Sequence, residues 1–301
     1  MPVSNYNALR LAIHRGTVQY SIVNRRTFFT WFFRSSVLVW AGFFIAGLSP
    51  VNASQAPLSA DEIVQRAVER SSTVNALHAR PDYFYDKHTV REDLDSKGIL
   101  KGRTEKGYEV MVESGMSYLK LIQVNGQNLS PSEQKKQNDR EIAERQKMTD
   151  AKPGQKGDER ENFLTKELVS RYQFTLIGQK TSNGRDAYLL SFQPKSGELP
   201  NHKLTDRFLN QIAGKVWIDA ADFEIARAEL HLQSEVALWG GLIGTLRQCN
   251  YTLERTRLAD GSWFNHFSHG YFEGRKLFEP MMIRTRSESA NFRRATQTAM
   301  K

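Results

Sequence analysis

Between residues 224 and 238 apolar and polar side chains alternate with a period of two, and this limits the fold more than any other feature. Ala226, Ala228, Leu230 and Leu232 fall on one side of an extended chain; Arg227, Glu229, His231, Gln233 and Glu235 fall on the other. Such alternation describes a strand with one dry and one wet face, the habit of an antiparallel sheet. Trp263, Phe267 and Tyr271 repeat it, sharing a face with Asn265 and His269, as do Tyr188, Leu190 and Phe192, and Tyr108, Val110 and Val112. Strands are predicted over 82–94, 99–113, 117–124, 172–180, 187–193, 213–219, 224–238, 245–257, 263–273 and 282–287. Asn183-Gly184 lies between two of them. It is a strong hairpin signal, because both turn positions must accept positive φ. Connections as short as 220–223 and 259–262 require antiparallel pairing, since a parallel crossover needs a dozen residues or more. The expected fold is mainly β (α+β): about ten strands meandering through one twisted sheet.

Few helices are available to cover that sheet. Ser59-Ala60-Asp61-Glu62 forms a capping box, in which Ser and Glu serve each other's backbone donors. Ile63, Val64, Ala67 and Val68 then recur at helical spacing, predicting an amphipathic helix to about residue 71. Ser130-Pro131-Ser132-Glu133 opens a second helix, with proline at the first helical position. The run that follows to Lys152 is nearly all charged or amide, with Ile142, Ala143 and Met148 as its seam, and Lys152-Pro153-Gly154-Gln155-Lys156-Gly157 interrupts it. A third helix over 162–170 presents Phe163, Leu164, Leu168 and Val169. Residues 130–170 therefore read as a charged helical insertion with a solvated face. An apolar sheet face must be buried against something. With so few helices, the sheet either curls onto itself or keeps an apolar concavity, and such a hollow suits acyl chains.

Residues 1–53 place the chain outside the cytoplasm. Arg10, Arg15, Arg25, Arg26 and Arg34 precede an apolar stretch from Val37 to Leu48, and Val51-Asn52-Ala53 follows Pro50. A basic region, an apolar core and a small-residue exit make a secretory signal peptide. The core is shorter than the roughly 20 residues a spanning helix needs, although a retained anchor stays open, as does cleavage at Ala53 or Ala56. The paired arginines fit a Tat leader as well as an ordinary Sec one. The domain proper spans 54–301, and its expected location is periplasmic.

The formal charge of +9 falls on removal of those five arginines, leaving 37 basic against 33 acidic residues. That near-balance, together with export, argues against nucleic acid as a partner. One cysteine, Cys249, cannot form an internal disulfide, so burial alone must hold the domain. No lipobox cysteine stands near the leader junction. The chain contains no G-x-S-x-G, H-E-x-x-H, C-x-x-C or P-loop pattern, hence no assigned catalytic residue, metal ligand or cofactor. Trp239-Gly240-Gly241-Leu242-Ile243-Gly244 marks a bend or bulge, or a cavity rim. His266 and His269 face opposite sides of a strand and chelate together only across a bulge. Asp219 and Asp222 flank a turn, where Asp bonds its local backbone.

The segment Gly214-Lys215-Val216-Trp217-Ile218-Asp219, a short turn, then Ile225-Ala226-Arg227-Ala228-Glu229-Leu230 resembles the strand pair of the LolA-like superfamily of periplasmic lipoprotein carriers. Phe174-x-x-x-Gly178, Gly184-Arg185-x-Ala187-Tyr188, Phe192-x-Pro194 and Val124-Asn125-Gly126-Gln127-x-Leu129-Ser130 resemble its outer-membrane lipoprotein-sorting branch. The resemblance spans roughly residues 83–286. It implies an unclosed antiparallel β half-barrel with a helical lid, binding lipid or acylated protein and not acting as an enzyme. The charged insertion and the lack of an N-terminal lipidated cysteine depart from the family. Tyr83, Tyr85, Leu230, Leu232, Leu238, Trp263, Phe267 and Tyr271 are the candidate lining residues. The alternative is an envelope module that binds another cell-envelope protein through the 130–152 helix, without lipid transfer.

Overall fold

Hairpin connections and strand alternation build one antiparallel sheet. The computed structural model describes residues 57–76, 82–113, 116–149, 164–201, 203–238, 244–277 and 279–295. The leader features of residues 1–53, Ala56, the 152–157 interruption and all of the glycine-rich run except Gly244 lie outside these. The strands are β1 (Tyr83–Leu94), β2 (Leu100–Glu113), β3 (Met116–Val124), β4 (Gln127–Asn128), β5 (Tyr172–Ser182) and β6 (Arg185–Pro194). They continue with β7 (Ile212–Asp219), β8 (Ile225–Leu232), β9 (Val236–Leu238), β10 (Gly244–Arg257), β11 (Trp263–Lys276) and β12 (Glu279–Arg294). Their order is β4-β3-β2-β1-β12-β11-β10-β8-β7-β6-β5, with β9 added beside β10. The first long strand thus pairs with the last in mid-sheet, while β4 and β5 end the path unjoined.

Two tight turns have the backbone their sequence demands. Asn183 and Gly184 lie at φ 49° and 74°, and Asn125 and Gly126 at 52° and 75°, the paired positive values of a type I′ hairpin. At Gly214 the reason for glycine is space: a Cβ there would sit 1.9 Å from the Glu229 carbonyl oxygen.

The strand predicted over 224–238 is broken. The Gln233 amide makes a last ladder bond to the Gln211 carbonyl at 2.7 Å, β8 ends at Leu232, and β9 begins at Val236 beside β10. β12 extends well beyond 282–287, since it pairs with β1 along nearly its whole length.

Among the described residues four helices accompany the sheet: α1 (Ala60–Ala76), α2 (Pro131–Thr149), α3 (Lys166–Ser170) and α4 (Leu204–Leu209). Ser59 and Glu62 cap α1 as expected, the Ser59 amide and hydroxyl each donating to the Glu62 carboxylate at 2.8 Å. α1 lays Ile63, Val64, Ala67 and Val68 on Leu190, Val216, Ile218 and Ile225. Burial of each large aliphatic side chain there stabilises by about 1.5–3 kcal/mol. Arg66 lies 5.4 Å from the Phe223 ring centroid and Arg70 3.5 Å from Glu224, so polar contacts flank the apolar seam. A second core unites Tyr83, Tyr85, Val110, Val112 and Phe264, with Phe292 packed against it.

Candidate functional site

Residues opposite one another in a sheet share a face. Leu230 stands opposite Gly214 and Tyr251, and Ala228 opposite Val216 and Leu253. This is the face on which α1 lies. Beyond α1, the roof passes to α3 and α4, and beneath them a cavity of about 190 Å³ remains. Leu164, Leu168, Val169 and Leu209 line it from above. Tyr172 and Phe174 of β5, Phe192 of β6, and Ile212 and Val216 of β7 line it from the sheet. Ile225, Ala228 and Leu230 of β8, with Tyr251 and Leu253 of β10, complete it.

The wall is apolar because its polar atoms are turned away. The Tyr172 hydroxyl donates to the Leu209 carbonyl at 2.7 Å, and burial pushes this phenol up to about 12, keeping it neutral. Tyr172 meets Phe192 edge-on at 5.2 Å and Phe174 at 6.4 Å between centroids, the geometry the ring quadrupole favours. The roof is held by one buried cation. Arg171 donates to Asp206 at 2.8 Å, and to the Pro200 carbonyl and the Asn210 side chain at 3.1 Å. That hub joins the end of α3 to α4. At about 190 Å³ the cavity is smaller than the ~300–1,000 Å³ of a whole-ligand pocket.

Of the eight candidate lining residues, Leu230 borders this cavity. Leu232, two positions on, is half-buried opposite Ile212 and outside the wall. Tyr83 and Tyr85 belong to the second core. The Tyr83 hydroxyl donates to Asp260 at 2.7 Å, and burial, then Asp260, push it up to about 12. Trp263 is buried, its indole N–H donating to Asp222 at 3.0 Å. Phe267 and Tyr271 take the other face of the sheet, with Arg286 5.4 Å from the Phe267 centroid and the Tyr271 hydroxyl donating to Glu273. Leu238 closes β9; its side chain lies outside the described residues.

The carboxylates at the β7–β8 turn are structural. Asp219 accepts from Arg185 at 2.6 and 2.9 Å and from the amides of Ala221 and Asp222. Burial alone would push it up, but those donors outweigh burial and hold it below the usual carboxylate range. Asp222 pairs with Arg257 and Arg185. A register slip opposite Glu254 and Arg255 places a bulge at His266, whose Nδ1 lies 3.0 Å from the Ser289 carbonyl. Among the described residues no group of three or more His, Cys, Asp or Glu side chains is placed to hold a metal.

No protein-family model matches the chain, and no curated protein is significantly similar to it. Several solved structures are similar to it. A DUF1329 family protein from Desulfovibrio piger is 13% identical with a TM-score of 0.30, over 79% of this chain and 99% of that one. An outer-membrane lipoprotein-sorting protein domain from Vibrio parahaemolyticus is 12% identical with a TM-score of 0.30, over 78% of this chain and 94% of the other. A LolA superfamily protein from Nitrosomonas europaea is 11% identical with a TM-score of 0.30, over 81% and 98%.

Proposed function

We propose that this is an exported, periplasmic binding protein that shelters an acyl chain, of a lipid or an acylated protein, between its sheet and its short helices. One observation carries this reading: the pocket beneath α3 and α4 is walled by Leu, Ile, Val, Ala, Phe and Tyr side chains alone. Such a wall rewards only apolar atoms, about 0.8 kcal/mol for each CH2 removed from water. The dimensions favour the end of a single chain. The basic and apolar leader of residues 1–53 supplies the route to the envelope.

Ala228 lies on the cavity floor, so Ala228→Phe fills the space. Uptake of a fluorescent fatty acid should then fall to background while the thermal midpoint stays within a few degrees of the parent. Unchanged uptake in a folded variant sinks the proposal.

A second reading, an envelope protein-interaction module, draws on α2. That helix rests on the β3 edge through Lys120–Glu141 at 3.8 Å and leaves Ile142 62% exposed. Deleting residues 133–156 should abolish capture of an envelope partner and spare fatty-acid uptake. Loss of uptake without loss of a partner favours the first reading.

A further inference from the structure

The face of the sheet turned away from the apolar cavity carries a second hollow, an open trough of about 540 Å³. This falls within the ~300–1,000 Å³ range of small-ligand sites. Strand register sets its chemistry. Arg103, Glu92, Arg284, Tyr271 and Asn250 stand opposite one another in turn, forming one row across β2, β1, β12, β11 and β10. The neighbouring row brings Val90, Arg286 and His269 together.

Each of the three guanidiniums lining this trough is paired with a carboxylate, Glu92 within the lining and Glu105 and Glu288 beside it. Arg103 pairs with Glu105 at 2.7 Å, Arg284 with Glu92 at 3.5 Å, and Arg286 with Glu288. A site built for phosphate or sulfate presents cations in excess; here a carboxylate accompanies each guanidinium, so an anion meets repulsion beside every attraction. A cationic ligand faces the converse. Pairing leaves hydrogen-bonding capacity intact, because a guanidinium carries five N–H donors and a carboxylate about four acceptor sites. Asn250 adds two donors and an acceptor. Tyr271 is fixed along β11 by its bond to Glu273, two residues on, at 3.1 Å, and its ring and Val90 provide apolar ground between the polar groups.

We infer that this trough binds a neutral oligosaccharide. A sugar hydroxyl is at once one donor and two acceptors, which suits alternating guanidinium, carboxylate and amide groups. The C–H faces of a pyranose ring stack on an aromatic surface such as Tyr271. The site is independent of the acyl-chain reading, since the two hollows lie on opposite faces of one sheet.

The test uses the full protein purified from its host, screened on an array of neutral and anionic glycans. Calorimetry with chitotetraose, maltotetraose and cellotetraose follows. A neutral glycan should bind with a dissociation constant below about 1 mM. Asn250→Ala and Tyr271→Ala should each weaken it about tenfold or more, while Tyr271→Phe retains most of the binding and Ala228→Phe leaves it unchanged. Thermal unfolding of each variant controls for folding, and Arg284→Gln replaces Tyr271→Ala if that chain does not fold. Absence of binding to every neutral glycan overturns the inference. So does saccharide binding indifferent to Asn250 and Arg284, or binding confined to inositol hexakisphosphate and abolished by salt.

Discussion

Two buried carboxylates show how single residues hold the site in place. Asp206 faces Arg171, which is 3% exposed, across 2.8 Å. Removing Asp206 leaves the buried Arg171 guanidinium its bonds to the Pro200 carbonyl and Asn210 but no buried counter-charge, which costs about 3–5 kcal/mol. Asp206→Ala should therefore lower stability by that amount in urea denaturation, and should loosen the roof of the cavity. The paired change Arg171→Met with Asp206→Leu should recover most of the loss, because no charge is then left buried. Asp219 belongs to the acid side of the pH profile. Its carboxyl is held below the ordinary value in the folded state by Arg185 and two amides, despite burial. The stabilisation is complete above the unfolded value of about 3.9 and is lost as pH falls through the folded value. The urea midpoint should accordingly decline below about pH 4, and Asp219→Asn should flatten that decline. None of these partnerships was legible beforehand: Asp219 and Asp222 read only as turn residues, and Arg171 lies 35 positions from Asp206.

At the scale of elements, local signals fared well and relations between elements did not. The Asn183-Gly184 turn, the Ser59 cap and the alternation of β8 each depend on neighbours in sequence, and each is present in the fold. Asn183 also donates its side-chain amide to the Arg255 carbonyl at 2.9 Å. Asn183→Ala should cost about 1–2 kcal/mol from the positive φ alone, read as a drop in thermal midpoint. Ile63, on the sheet-facing side of α1, is wholly buried, and Ile63→Ala should cost about 2–5 kcal/mol. Which strand faces meet, by contrast, depends on register. Trp263 seemed in phase with Phe267 and Tyr271, but the bulge at His266 separates them, and β11 shows its aromatics to different surroundings at its two ends. The cavity wall was missed for the same reason. Phe174, Phe192, Val216 and Tyr251 are neighbours only once β5, β6, β7, β8 and β10 are aligned, and the six-residue α4 gave no periodic pattern to find.

Among the described residues the sheet has different business on its two sides. One side is oily beneath α1, α3 and α4; the other is a lattice of matched charges. A ligand held on the oily side binds only the folded chain, so occupancy raises stability by mass action, about 2.7 kcal/mol at a hundredfold excess over the dissociation constant. Fatty acid added during thermal unfolding should raise the midpoint of the parent and leave Ala228→Phe unmoved. The same two-sidedness restricts how the gene can change length. Removing or adding one codon within β8 or β10 would turn every later side chain of that strand over, carrying leucines to water and arginines into the grease. Growth by insertion is tolerable in the loops, or where β11 already lodges its surplus residue at His266.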